Sequence, residues 1–159
     1  MKRVVCSKGC CNLQLVSYNG SRKINTQTSY CKAGILIYDP RSDKILIVQS
    51  RGNLWGPPKG SANDDESPKD CAIREVEEET GIKVIAESLS NKVITLSNRV
   101  HYFYTELAEC EVCIRADVLD NDASGIGWVH LACLKEFMDS GIVNLTKHCE
   151  ILLNKIFRF

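Results

Sequence analysis

"REVEEETGI", residues 74–82, crowds Glu75, Glu77, Glu78 and Glu79 into one short stretch. Upstream, Ser67 reads as a helix N-cap, Pro68 as the first helical residue and Asp70 as the acid three residues after the cap. Gly81 is the expected left-handed stop. The helix so predicted, 68–80, puts Ala72, Ile73, Val76 and Thr80 toward a core. Glu75, Glu78 and Glu79, at i, i+3 and i+4, share another side, and Glu77 falls between the two. Each pair of like charges at this spacing costs about a few tenths of a kcal/mol even in water. Arg74 and Lys69 are the cations close by in sequence. A solvated acidic face is the plain reading of a charge run. The other is a divalent cation: hard oxygen ligands on a rigid helix suit Mg²⁺ or Mn²⁺, with water and phosphate completing the shell.

Around this helix the chain alternates strand and turn signals. Apolar runs at 30–40 and 44–51, separated by Asp-Pro, predict a hairpin. Residues 52–67 are rich in Gly, Pro and Asn and predict a structured loop, stiffened by Pro57 and Pro58. Further strands are expected at 92–96, 100–107, 110–116 and 125–131. Helices are expected at 132–141 and 145–157, the last with Leu145, Cys149, Leu152, Leu153 and Ile156 on one side. Strands with one helix among them and two helices after them predict an α/β fold, a mixed sheet covered by helices.

The chain has 159 residues, 44% hydrophobic and 25% charged, with zero formal net charge. That suits one globular domain spanning 1–159. Neutrality offers no global attraction to nucleic acid or membrane, although a local basic patch remains compatible with it. No apolar run approaches the roughly 20 residues that span a bilayer, and the first residues lack a signal-like apolar stretch. The expectation is a non-secreted, cytoplasmic chain with no membrane association. Nine cysteines are then expected as thiols. Cys31, Cys71, Cys133 and Cys149 sit among apolar residues and read as core. Residues 1–29 form a cysteine-containing extension with Cys6, Cys10 and Cys11. Cys6 and Cys10 could close with Cys110 and Cys113 on a structural Zn²⁺, the alternative being unlinked thiols.

Gly60, then five residues, Glu66, then seven residues, Arg74-Glu75-Val76, Glu78-Glu79 and Gly81-Ile82 together resemble the Nudix box at every specified position. The resemblance implies an α/β/α sandwich with a mixed β-sheet and metal-dependent cleavage of a pyrophosphate linked to another moiety. By position it implies metal ligation by Glu75, Glu78, Glu79 and the Gly60 carbonyl. It makes Glu66 an auxiliary carboxylate and Arg74 the support of the glutamate face. Lys59 is placed to meet phosphate as a point charge. Glu78 is the first candidate for the general base, with an acid from outside the box as the second.

The flanks bear on the substrate. Trp55-Gly56-Pro57-Pro58-Lys59-Gly60 resembles runs in both diadenosine tetraphosphate hydrolases and mRNA decapping enzymes, the latter usually carrying phenylalanine where Pro57 stands. Asp64 to Ile82 resembles the decapping catalytic domain more closely. That resemblance implies hydrolysis of capped RNA to 7-methyl-GDP and 5′-monophosphate RNA. It also implies a catalytic acid upstream of a strand tryptophan, for which Asp122, six residues before Trp128, is the nearest match. Lys147 in the last helix is expected to contact RNA, with His148, Lys155 and Arg158 adding positive charge. Trp55 is the candidate to stack on a base or cap, with Tyr102, Tyr104 and Trp128 as further aromatics. Decapping enzymes carry a regulatory helical domain where residues 1–29 stand here, so the expectation is either that the catalytic domain acts alone or that a regulatory protein partner supplies that function in trans; the oligomeric state is open. The alternatives are hydrolysis of diadenosine tetraphosphate or another small nucleoside diphosphate derivative, and a non-catalytic binding module.

Overall fold

A computed structural model describes residues 1–16, 31–50, 53–97, 99–115, 117–118 and 123–159. The described elements are, in chain order, β1 (Lys2–Val5), β2 (Asn12–Leu15), β3 (Lys32–Asp39), β4 (Lys44–Ser50), β5 (Leu54–Gly56), β6 (Lys59–Ser61) and α1 (Pro68–Thr80). After a short 3₁₀ turn at Ala86–Ser88 come β7 (Ile94–Leu96), β8 (Val100–Glu106), β9 (Gly125–His130), α2 (Leu131–Asp139), β10 (Asn144–Leu145) and α3 (Lys147–Phe157).

The main sheet runs β1-β2-β9-β4-β3-β8-β7, with β3 and β8 parallel and the other neighbours antiparallel. Its central strands are apolar on both faces, as a sheet covered on both sides requires. Ile35, Ile37, Leu46, Val48, Ile126 and Trp128 pack in one core with Cys71, Ala72 and Val76 of α1. Leu36, Ile45, Ile47 and Val129 pack on the opposite side with Leu134 and Phe137 of α2 and Cys149 and Leu153 of α3. The result is the expected α/β/α sandwich. No helix among the described residues is long and apolar enough to cross a membrane.

One irregularity of the sheet positions everything that follows. β3 and β4 pair at Tyr38–Ile45 and Asp39–Lys44, near their shared turn. Away from that turn, β3 pairs with β6 from Lys32 to Gly34, and β4 pairs with β5 from Val48 to Ser50. The stretch expected as irregular loop thus contains two short strands, with Pro57 and Pro58 between them. Their backbone groups find partners in the two central strands and, for β5, also in β10 (Asn144–Leu54 and Leu145–Trp55), a tertiary effect that local composition does not carry.

Two further expectations change. Residues 110–115 form no strand: the Cys110 carbonyl accepts from Trp128 Nε1 (2.9 Å) and the Val112 carbonyl from Gln14 Nε2 (3.1 Å), so side chains rather than a neighbouring strand satisfy this segment. In the other direction, the N-terminal extension contains a hairpin, β1–β2, which joins the sheet through Gln14–Ile126 and Leu15–Gly125.

Trp55 shows how tightly the sheet edge is packed. It is 0% exposed, and a Cβ on Gly125 would come within 2.6 Å of its Cη2 and 2.9 Å of its Cζ2. Gly125 is therefore required for close approach to the indole rather than for an unusual dihedral. Gly125→Ala is expected to destabilise the protein by about 1–3 kcal/mol through overpacking. Pairing it with Trp55→Phe, which removes the ring atoms in conflict, should recover part of that loss. Equilibrium denaturation of the two single variants and the double variant measures the coupling; strict additivity would show that the indole is not what the added methyl strikes.

Candidate active site

The N-terminus of α1 is capped as its sequence predicts. Ser67 Oγ accepts from the Asp70 N–H (3.1 Å) and donates to Asp70 Oδ2 (2.9 Å). At the other end Gly81 adopts φ 79°, and its N–H bonds to the Glu77 carbonyl. Thr80 Oγ1 donates to the Val76 carbonyl (2.6 Å) and accepts from the Ile82 N–H (3.1 Å), tying the end of the helix to the chain beyond it. The helix is held at both ends, and its glutamate face is laid against β6.

Gly60 makes that contact feasible. It lies level with Ala33 in the pairing of β6 with β3, and a Cβ there would collide with the carboxyl group of Glu75. Only a residue without a side chain lets this carboxylate rest on the strand backbone. The Gly60 carbonyl accepts from the Cys71 thiol at 3.6 Å. Burial, with Glu75 and Glu66 nearby, pushes that thiol up to about 12, so it stays neutral and a donor.

Arg74 organises the carboxylates. Its Nε and Nη2 meet the two oxygens of Glu66 at 2.8 and 2.9 Å in the fork geometry that lysine lacks. Its Nη1 reaches Glu75 at 2.9 Å and Glu78 at 3.0 Å, and Nη2 also donates to the Ser61 carbonyl at 2.9 Å. Arg74 thus pairs bidentately with Glu66 and singly with the glutamate face, while fastening α1 to β6. Glu66 also accepts from the Asn63 N–H (3.1 Å). The Arg74 guanidinium, partly offset by burial, holds the Glu66 carboxyl below the usual range. Glu75 behaves differently. Its side chain is 14% exposed, and burial raises its carboxyl despite Arg74, with Glu78 adding to the rise. Glu78 is the open member of the set, 40% exposed. Glu79 is buried, its Oε2 accepting from the Lys59 N–H at 3.0 Å.

This donor set fits a divalent cation. One guanidinium bridges three carboxylates, a fourth accepts from the Lys59 N–H of the adjoining strand, and Glu75 lies against a backbone that a side chain would obstruct; all are hard oxygen donors. Glu75, Glu78, Glu79 and the Gly60 carbonyl are the groups that could hold Mg²⁺ or Mn²⁺.

The other expected residues divide. Lys59 lies on β6 next to Gly60. Together with Lys32, its charge depresses the His148 imidazole, which burial depresses first. His148 Nδ1 lies 3.4 Å from Tyr102 Oη and Nε2 lies 3.3 Å from Ser97 Oγ. Lys147 is exposed on the first turn of α3 and pairs with Glu150 at 3.6 Å. Asp122 lies outside the described residues. The stacking role expected of Trp55 is corrected: projecting from β5 into the core that includes Cys149 and Leu153 of α3, its ring is 0% exposed and has no open face to offer a base. Trp128 is likewise buried, and its Nε1 is committed to the Cys110 carbonyl. Tyr104, half-buried, instead lines a groove of about 590 Å³ with Lys92, Ile94, Leu152 and Lys155, backed by the buried Tyr102. The groove was not foreseen in the sequence because its walls come from β7, β8 and α3, which are distant in the chain.

The zinc set is also corrected. Cys110 and Cys113 are exposed and stand apart, whereas Cys6 and Cys10 converge with Cys11 and Cys133. The Cys10-Cys11 doublet was a visible signal. Cys133 was not, since a lone cysteine on an amphipathic helix looks like any small core residue.

Comparison with known proteins agrees with this geometry. Residues 31–147 match the NUDIX domain family. The chain is 35% identical over 138 residues to the putative hydrolase 111R of Invertebrate iridescent virus 3, covering 84% of this chain and 80% of that protein. It is 49% identical over 51 residues to the m7GpppN-mRNA hydrolase dcap-2 of Caenorhabditis elegans, covering 30% of this chain and 6% of that protein. In fold it resembles a bifunctional NMN adenylyltransferase/ADP ribose pyrophosphatase from Francisella tularensis, with a TM-score of 0.63 at 20% identity over 82% of this chain and 41% of that one. With the box residues assembled on α1 and β6 and the family matched across most of the chain, the protein belongs to the Nudix hydrolase family.

Proposed function

We propose that the chain is a Mg²⁺- or Mn²⁺-dependent pyrophosphohydrolase that removes the 5′ cap of RNA, releasing 7-methyl-GDP and 5′-monophosphate RNA. The observation that carries the hydrolytic part is the glutamate face of α1 pressed on Gly60 and organised by Arg74. A divalent cation held there supplies neutralisation of phosphate oxygens and acidifies water. Glu78, the most open carboxylate of the face, takes the proton from the attacking water. The water oxygen bonds to phosphorus, the bond from that phosphorus to the bridging oxygen breaks, and the leaving phosphate departs with the electron pair. Lys59 orients the phosphates as a point charge, while Arg74 and Glu66 keep the carboxylates in register. Glu78→Gln and Glu79→Gln, each preserving shape, should lower kcat by on the order of a hundredfold or more with the fold intact by circular dichroism. Full activity of both variants would remove the metal assignment.

The case for capped RNA rests on the resemblance of Asp64–Ile82 to decapping catalytic domains and on the 51-residue similarity to dcap-2. A path for a longer polyanion supports it. The charges of Lys59 and Lys32 act on His148, His148 rests against the buried Tyr102, and Tyr102 backs the groove bordered by Lys92 and Lys155. Such a path would serve an RNA body and is superfluous for a short dinucleotide. Hydrolysis of diadenosine tetraphosphate is the second reading, favoured by Pro57 in the run before the box.

Cap-labelled RNA, free cap analogue and diadenosine tetraphosphate, offered in parallel with Mg²⁺ or Mn²⁺, separate the two. Capped RNA is expected to be cleaved best, with efficiency rising with chain length and falling with salt as counterions are released. Equal or better cleavage of either free dinucleotide would transfer the assignment to the second reading. Lys92→Ala/Lys155→Ala should raise KM for capped RNA and reduce the salt slope by roughly 1–2. It should leave cleavage of the free cap analogue unchanged.

A further inference from the structure

The turn of the N-terminal hairpin and the start of α2 converge on sulfur. Gly9, at φ 71°, donates its N–H to the Cys6 carbonyl (2.9 Å), and the Cys6 N–H bonds to the Cys11 carbonyl (3.3 Å). This closes the turn and gathers the thiols of Cys6, Cys10 and Cys11. Cys133 arrives from α2, more than a hundred residues away in sequence. Cys10 Sγ lies 3.6 Å from Cys6 Sγ, 3.6 Å from Cys11 Sγ and 3.5 Å from Cys133 Sγ. All four sulfurs lie within 4.8 Å of one another, and none is bridged.

We propose that Cys6, Cys10, Cys11 and Cys133 form a structural tetrathiolate zinc site. Zn–S bonds of about 2.3 Å in a tetrahedron place the sulfurs roughly 3.8 Å apart, close to the three edges found. A disulfide would draw one pair to about 2.05 Å and leave the other two thiols without a purpose. Simple core filling does not bring four thiols to one point; Cys71 and Cys149, which do fill the core, are dispersed in separate places. Four soft ligands leave no position for water or substrate, so the site is closed and structural rather than catalytic. The surroundings are built for it. The His130 N–H donates to Cys11 Sγ at 3.1 Å, the kind of outer contact that orients a metal ligand. Ser7 binds both oxygens of Glu136 on α2, through N–H at 2.9 Å and Oγ at 2.8 Å, pinning the turn to the helix that supplies the fourth ligand. β1 and β2 have four residues each, too short for a hairpin to hold by itself. Zinc fastens it to the edge of the sheet. Three of the four ligands lie outside residues 31–147, so the site is an addition to the family domain and independent of the proposed decapping activity.

The test is zinc content and cobalt substitution on the full chain purified under reducing conditions. Wild type, Cys110→Ser and Glu78→Gln should each carry one zinc per chain. Replacing zinc by Co²⁺ should give the thiolate charge-transfer and tetrahedral ligand-field bands of a tetrathiolate. Cys10→Ser and Cys133→Ser should lose zinc affinity by roughly a hundredfold or more, since loss of even an outer-shell partner costs 10–100-fold. Cys10 is exposed, so its variant tests ligation without opening the core, and circular dichroism confirms that it is folded. The proposal is overturned if reduced wild type takes up neither zinc nor cobalt, or if Cys10→Ser binds zinc as tightly as wild type. Iron in place of zinc, or a disulfide between any two of the four in freshly isolated protein, overturns it equally.

Discussion

The contact between Gly60 and the carboxyl group of Glu75 is the constraint on which the site depends. A helix that carries three glutamates on one side would ordinarily turn them to solvent. Here that side is laid against a strand backbone, which is feasible only because the strand offers a glycine at the point of contact. Arg74 then acts as the internal counter-charge, forked on Glu66, bonded to Glu75 and Glu78, and anchored to the Ser61 carbonyl. Removing one carboxylate from this set would leave a partly buried guanidinium or a neighbouring acid short of a partner, which is the costly way to disturb a charged cluster.

The sheet makes this contact reproducible. Because β3 and β4 part company after their shared turn, β5 and β6 are drawn in to satisfy the backbone groups that the separation leaves. β6 thereby arrives beside β3 at a set register, with Gly60 level with Ala33. The same arrangement buries Trp55 against Gly125 on the opposite side of the prolines. The residues just before the box therefore play two parts: one side of the run builds the core, and the other presents the backbone on which the glutamates rest.

The aromatic and basic residues show where chemical type and location diverge. Trp55 and Trp128 have the right chemistry to stack on a base, yet both are core residues. Tyr102 and Tyr104 occupy alternate positions of β8 beside a groove that α3 lines with Leu152, Lys155 and Ile156; Tyr102 is itself buried, and Tyr104 is the more open of the two. The cysteines divide similarly. Thiols that look alike in the sequence become core filler at Cys71 and Cys149, exposed groups at Cys110 and Cys113, and a convergent cluster at Cys6, Cys10, Cys11 and Cys133.

Local physics made much of this legible in the sequence. The cap at Ser67, the stop at Gly81, the apolar strands and the spacing of Glu75, Glu78 and Glu79 are properties of residues within one or two helical turns of each other. Dihedral preference, capping and periodicity act at that range, and so the helix, its glutamate face and the layered α/β class follow from the residues themselves. The pairing of β5 and β6, the absence of a strand at 110–115, the groove beside Tyr102 and the arrival of Cys133 beside Cys10 belong to the tertiary structure alone. Each depends on groups far apart in the chain meeting across the sheet. Hydrogen-bond satisfaction and burial are then settled by whichever neighbour the fold supplies, not by the residue's own preference.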